Sequence, residues 1–213
     1  MNTEQKKSIV PAGMTLAGLA AVCTALVAVT HGVTAPRIAA NEQAYLEQSL
    51  APVLEGIEYD GKLSESTIVI PAPNELPGNE PVTVYRVYAD AQPVAALFVV
   101  KARGGFAGPI RMLIGIAASG SVTGVRVLEH RETPGLGDLI ESGKSDWILQ
   151  FAGRSLADPP ASAWTIKRDG GEFDQLTGAS ITPRAVIRSI RDTLVYFGEN
   201  GDVVFAEVSV DEQ

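Results

Sequence analysis

Asp174-Gln175-Leu176-Thr177-Gly178-Ala179-Ser180-Ile181-Thr182-Pro183 sets two hydroxyl side chains, those of Thr177 and Ser180, beside a flexible glycine and directly before a helical pattern. From Pro183 onward Val186, Ile190, Leu194 and Phe197 recur as one apolar face, and proline suits a first helical position, where no amide donor is needed. The spacing predicts a helix that starts at Thr182. Its first free backbone N–H groups would point back toward Thr177, Gly178 and Ser180, and the positive end of the helix dipole favours an anion there by about 0.3–1 kcal/mol. A phosphoryl group suits that position. Taken alone, the same pattern also describes an ordinary loop with a helix cap.

Two stretches upstream bear on that choice. In Gly104-Gly105-Phe106-Ala107-Gly108-Pro109-Ile110 the glycines let the backbone bend around a ligand, or make an unusually wide hairpin turn. Val125-Arg126-Val127-Leu128-Glu129-His130-Arg131-Glu132-Thr133-Pro134-Gly135-Leu136-Gly137 begins as a strand and ends in a Pro-Gly run. Such a run lets amides approach a flat ligand closely, or serves as a plain strand-to-helix connection.

Together these stretches resemble the FMN-binding RnfG/NqrC family, in which a flavin transferase attaches FMN through its phosphate to the hydroxyl that closes an Asp-x-x-(Ser/Thr)-Gly-Ala-Thr signature. The resemblance implies a covalent FMN held by a phosphoester at Ser180, where the family carries threonine. Thr177 and Thr182 are alternative acceptors, Gly178 and Ala179 belong to the signature, and Asp174 is the acid that the transferase needs. It further implies that Glu132, Thr133, Pro134, Gly135, Leu136 and Gly137 line the flavin. There the amides and the Thr133 hydroxyl would bond the polar edge of the ring, and Leu136 would cover part of its face.

Other side chains admit two readings each. Arg111 and Lys167 could neutralise a phosphate or the reduced flavin, or lie on the surface as solvated charges. Trp147 and Trp164 could stack on a ring or fill the core. Glu132 with His130 could form a general base and its partner, but an electron-transfer flavin needs no substrate proton chemistry. A solvated charge at a strand end is expected at Glu132, and no catalytic residue is assigned.

No charged residue occurs between Lys7 and Arg37, and the run Ile9 to Val33 is dominated by Ala, Val, Leu, Thr and Gly. A membrane helix needs ~20 such residues, whereas the apolar part of a cleaved signal spans roughly 7–15. An uncleaved anchor is expected, although the alanines after Arg37 leave cleavage open. Lys6 and Lys7 precede the run and only Arg37 follows closely, so the positive-inside rule puts the amino terminus in the cytoplasm. The expected organisation is a cytoplasmic segment 1–8, a transmembrane helix 9–33, a connecting helix or linker 34–60, and a periplasmic FMN-binding domain 61–213. The location is then the bacterial inner membrane, crossed once.

From Ile38 onward the chain has 14 Lys plus Arg against 24 Asp plus Glu, a net charge of −10, which argues against nucleic acid or anionic lipid as partners. The lone cysteine, Cys23, lies inside the apolar run, and the histidines are only His31 and His130. Neither a disulfide, an iron–sulfur cluster nor a zinc site is supported, so no metal is expected and redox chemistry must come from an organic cofactor.

Along the rest of the chain, Ala39 to Leu54 reads as an amphipathic helix with Tyr45, Leu46, Leu50 and Leu54 on one side. A strand Thr67 to Ile70 precedes a proline-rich loop. Two hairpins follow, Val82 to Ala89 with Val94 to Lys101, and Ile110 to Ala117 with Val122 to Leu128 across Ser119-Gly120. Helical patterns near Asp138 to Ser142, Ser145 to Gln150 and Pro183 to Phe197, and a last strand Val203 to Val208, complete an α+β domain with helices packed on an antiparallel sheet.

The resemblance implies a covalent-FMN electron relay in an ion-translocating ferredoxin/NAD oxidoreductase complex. Its partners would be the membrane subunits RnfA, RnfD and RnfE, the ferredoxin- and NADH-facing RnfB and RnfC, and the flavin transferase. Two other classes stand beside it. One is a membrane-anchored assembly subunit without flavin, and the other a hydrolase with Ser180 as nucleophile, against which the absence of a Gly-x-Ser-x-Gly elbow counts.

Overall fold

The computed structural model describes residues 3–60 and 66–206. Five strands form one antiparallel meander in the order β1 to β5. They are β1 (Thr67–Ile70), β2 (Val82–Ala89), β3 (Gln92–Ala102), β4 (Ile110–Ala117) and β5 (Val122–Glu129). Their branched and aromatic residues fit a pleated surface, and short turns between neighbours favour antiparallel pairing.

Both faces of the sheet are covered at its centre. On one face Val84, Phe98, Ile114 and Val125 stand in register across four strands, all buried. Against them packs the helix α2 (Ile181–Phe205) through Val186, Ile187, Ile190, Leu194 and Phe197, with Phe98 and Phe197 edge to face at 6.1 Å. A cluster of Trp147, Phe151, Trp164 and Phe173 extends this core, with ring centroids as close as 4.7 Å. On the other face the row is Tyr85, Leu97, Gly115 and Gly124. The two glycines open a hollow that Val53 fills from the short 3-10 turn Ala51–Leu54.

The amino-terminal helix α1 (Thr3–Leu50) is continuous, so the expected break after residue 33 into a separate connecting helix is not found. Its window Gly13–Ile38, 26 residues of mean hydropathy 1.9, is long and apolar enough to cross a membrane, and none of it is buried. Met14, Leu19, Leu26 and Val29 point outward. By contacts the chain divides into two compact units, Met1–Leu46 and Glu47–Gln213. Leu50 and Leu54 are buried within the second, and the Tyr45 and Leu46 side chains lie outside the described residues, as does the expected boundary at residue 61.

Three further expectations change. The helical patterns at Asp138–Ser142 and Ser145–Gln150 are single 3-10 turns, Gly137–Ile140 and Asp146–Phe151. Helix α2 starts one residue early, at Ile181. Val203 to Phe205 is not strand but the end of α2, because Val204 is buried and Phe205 packs edge to face on Phe197 and Tyr88 at 6.0 and 6.2 Å. Residues 207 and 208 of that expected strand lie outside the described residues.

Two substitutions test these contacts. A Cβ on Gly115 would collide with Thr123 Oγ1 and stand 2.5 Å from Val53 Cγ1, so Gly115→Ala is expected to cost about 1–3 kcal/mol in urea unfolding. The β2–β3 turn holds Asp90 and Ala91 at φ of 48° and 61°, a left-handed pair that favours glycine at its second position. Ala91→Gly is therefore expected to raise stability by about 0.5 kcal/mol, the relief of strain outweighing the added chain entropy.

Candidate functional site

Three loops meet at the start of α2. The first, residues 103–109, turns between β3 and β4 with Gly104 and Gly108 at φ of 90° and 137°. The second, residues 130–136, leaves β5 and folds back on itself, Thr133 O accepting the amides of Leu136 and Gly137 at 3.2 and 3.1 Å. The third, residues 174–180, closes with Gly178 at φ 81° and a bridge between Leu176 and Ala179. Between them lies a cleft of ≈ 170 Å³ lined by Phe106, Glu132, Thr133, Leu136, Gly137 and Gly178–Thr182. Phe106, Leu136 and Ile181 are 68%, 42% and 46% exposed, an apolar rim left open to solvent.

Ser180 is the cap residue of α2, yet its side chain makes no capping hydrogen bond. Its hydroxyl is thus uncommitted and lines the cleft. Arg184 braces this corner: it donates from Nε and Nη2 to Asp169 at 2.5 and 2.9 Å, and from Nη1 to Ser180 O at 3.3 Å. The guanidinium holds the Asp169 carboxyl below its ordinary range. Asp174 is exposed, while its backbone is pinned by Trp147 Nε1 on its carbonyl at 2.6 Å and by Gln150 Oε1 on its amide at 2.9 Å. Its carboxylate pairs with Lys167 at 2.7 Å, and that contact raises the lysine above its ordinary value.

Several expected roles change with this geometry. Thr182 is 1% exposed and donates its hydroxyl to Glu132 Oε2, so it is withdrawn as an acceptor. Glu132 is not a solvated strand-end charge but 5% exposed, also accepting the Ala107 amide at 3.0 Å. Thr177 is exposed and outside the lining of the cleft, as are Pro134 and Gly135. Arg111 lies in a separate hollow with Glu80 and Lys101, and Lys167 is paired with Asp174. Trp147 and Trp164 are core. Phe106, Ile181 and the Arg184–Asp169 brace had no assigned role. An aromatic among glycines was the available signal for Phe106, whereas the brace joins residues whose sequence separation carried none.

Chain similarity bears directly on the three loops. Residues 105–195 match the model of the FMN-binding domain, and residues 1–53 match that of the RnfG N-terminal region. The RnfG subunit of the ion-translocating oxidoreductase complex from Shewanella amazonensis is 40% identical over 92% of this chain and 91% of its own. Its counterparts from Photorhabdus laumondii and Pseudomonas aeruginosa are 42% and 37% identical, over 86% and 97% of this chain and 88% and 96% of theirs. This chain belongs to the RnfG family. The FMN-binding match takes in all three loops, and the residues fit that group. An uncapped serine hydroxyl stands at a helix N-terminus, and the apolar rim can take a flat ring. A Cβ at Gly178 would come within 2.9 Å of Leu136 Cδ2, so glycine there keeps the cleft wall open. In this family setting the apolar helix fits a membrane anchor.

Beyond the cleft, His130 Nδ1 accepts the Glu132 amide at 3.0 Å, which places the ring proton on Nε2, donating to Glu141 at 2.6 Å. Both ring nitrogens are thus engaged by other partners, and His130 and Ser180 form no pair. Lys144 bridges Glu141 and Asp138 at 2.6 and 2.9 Å. Its ammonium pulls both carboxyls below their ordinary values, His130 assisting at Glu141, and is itself raised. A depressed carboxyl adds stability that is present above its unfolded value and lost as pH falls through the folded one; a raised amine adds stability lost as pH rises through its folded value. Lys144→Met is therefore expected to be less stable than the parent from about pH 5 to pH 10, the difference closing as the carboxyls protonate below about pH 4. Urea midpoints across that range check it.

Proposed function

We propose that this chain carries one FMN, joined by a phosphoester to Ser180, and relays electrons within a membrane-bound ion-translocating oxidoreductase complex. The observation that carries the reading is the Ser180 hydroxyl. It sits at the N-terminus of α2, free of the capping bond that serines at that position usually make, and faces the cleft. The dipole and free amides of the first turn favour a phosphoryl group there. Ring contacts fall to Phe106, Leu136 and Ile181, and polar-edge contacts to Thr133 and the Gly137 amide. Asp174, exposed on a pinned backbone, is presented to the flavin transferase as the signature acid.

When bound, FMN supplies one- and two-electron chemistry; the protein supplies attachment, orientation and electrostatics. Attachment fits the location. The charge bias around the apolar helix puts the domain on the periplasmic side, where a dissociated flavin would be lost, and a covalent link removes the cost of rebinding. Partners are the membrane subunits RnfA, RnfD and RnfE, with RnfB and RnfC handling ferredoxin and NADH. The chain is a relay in an oxidoreductase translocase, and no residue of it is assigned a catalytic role.

Produced with an active flavin transferase and exported, the chain is expected to yield a peptide containing Ser180 that is heavier by one FMN less one water. Ser180→Ala abolishes in-gel flavin fluorescence, Ser180→Thr keeps it, and Asp174→Ala blocks attachment, all with an unchanged fold by circular dichroism. Covalent flavin persisting in the alanine variant overturns the assignment. A colourless parent chain supports the assembly-subunit alternative.

A further inference from the structure

Glu132 forms the floor of the cleft, and its carboxylate is divided between the two walls. Oε1 accepts the Ala107 amide from the loop that carries Phe106; Oε2 accepts the Thr182 hydroxyl from the first turn of α2, two residues after Ser180. These partners lie 25 and 50 residues away in sequence. The socket is cut to the carboxylate. A Cβ on Gly105 would stand 2.8 Å from Oε1, and one on Gly137 would stand 2.8 Å from Oε2. The Glu132 amide is fixed in turn by His130 Nδ1. Ala107 is exposed and its loop has glycines at left-handed φ on both sides, so the bond to a buried acceptor is what ties this loop to the cleft.

We propose that Glu132 is the positioning residue of this site: it couples the two walls, so that the Phe106 loop closes on the cleft only while the first turn of α2, with Ser180 at its cap, is in place. The purpose of the coupling rests on the flavin reading given above. The coupling itself is a property of the chain and is measurable without flavin. Glutamine at the position can preserve it, because an amide oxygen still accepts from Ala107 and the amide nitrogen donates to Thr182 Oγ1. Alanine removes both contacts and leaves a loop amide without its acceptor.

The test is hydrogen exchange on the full-length chain in detergent, followed at Ala107 and at Phe98 in β3 as a core reference. Thr182→Val does not touch Ala107, yet it is expected to speed exchange there about tenfold with Phe98 unchanged. Glu132→Ala does the same, while Glu132→Gln and Thr182→Ser stay near the parent. In flavin-loaded protein the induced visible circular dichroism falls toward that of free FMN in the two uncoupled variants and recovers in the two conservative ones. Unchanged Ala107 exchange in Thr182→Val overturns the proposal, because Glu132 then holds the loop regardless of α2. A parent chain without flavin overturns the functional reading, and the exchange result still decides the coupling.

Discussion

A carboxylate withdrawn from water is tolerable only if donors replace the solvent, and Glu132 meets that condition with one donor from each side of the cleft. Leaving either partner unmatched would cost about 1–3 kcal/mol, which makes the arrangement close to all-or-none. Much of the local geometry follows from it. Gly105 and Gly137 lack side chains because the carboxylate occupies that space, and Thr182 is polar inside a helix face that is otherwise apolar. His130 is oriented by the Glu132 amide and passes the constraint outward to Glu141, Lys144 and Asp138. Ser180 is left uncommitted beside this network.

The sheet makes that placement possible. Its core face is a continuous row of Val84, Phe98, Ile114 and Val125 under α2, and its other face is closed by Val53 where two glycines permit close approach. A strand pair buried on both sides is hard to slide, since a one-residue slip would trade the Phe98 row for the Leu97 row. The β3–β4 and β5 loops therefore emerge at fixed positions relative to α2. The site is assembled by the ends of rigid elements.

Most of this sheet was legible in the sequence, because branched residues alternate between recognisable turn formers and each pairing is local. The expected β2, β4 and β5 agree with the observed strands to within a residue, and β3 starts only two residues early. What failed depended on distant partners. Gly198, Asn200 and Gly201 read as a stop before a strand, but Val204 and Phe205 find buried positions only if the helix continues past them. Glu132 sits in the polar run His130-Arg131-Glu132-Thr133, which reads as surface until the loops of Ala107 and Thr182 fold over it. The hydroxyl segment itself was visible, since it needs only a glycine, a proline and one helical face.

The cap of α2 shows how structure and attachment compete for one atom. A serine at that position ordinarily accepts an amide of the first turn, a bond worth about 1 kcal/mol. Pro183 has no amide to offer, and Ser180 holds φ −92° and ψ −20°, a helical conformation instead of the extended one that aims a cap side chain at its own helix. The stability forgone at the cap is offset by Arg184, which binds the Ser180 carbonyl and Asp169 from one guanidinium and so fixes the corner without using the hydroxyl. Serine in place of threonine keeps this arrangement intact, because neither the brace nor the backbone conformation involves the missing methyl group. The oxygen stays free on the cleft side, and the first-turn amides stay free for the oxygens of a phosphoryl group.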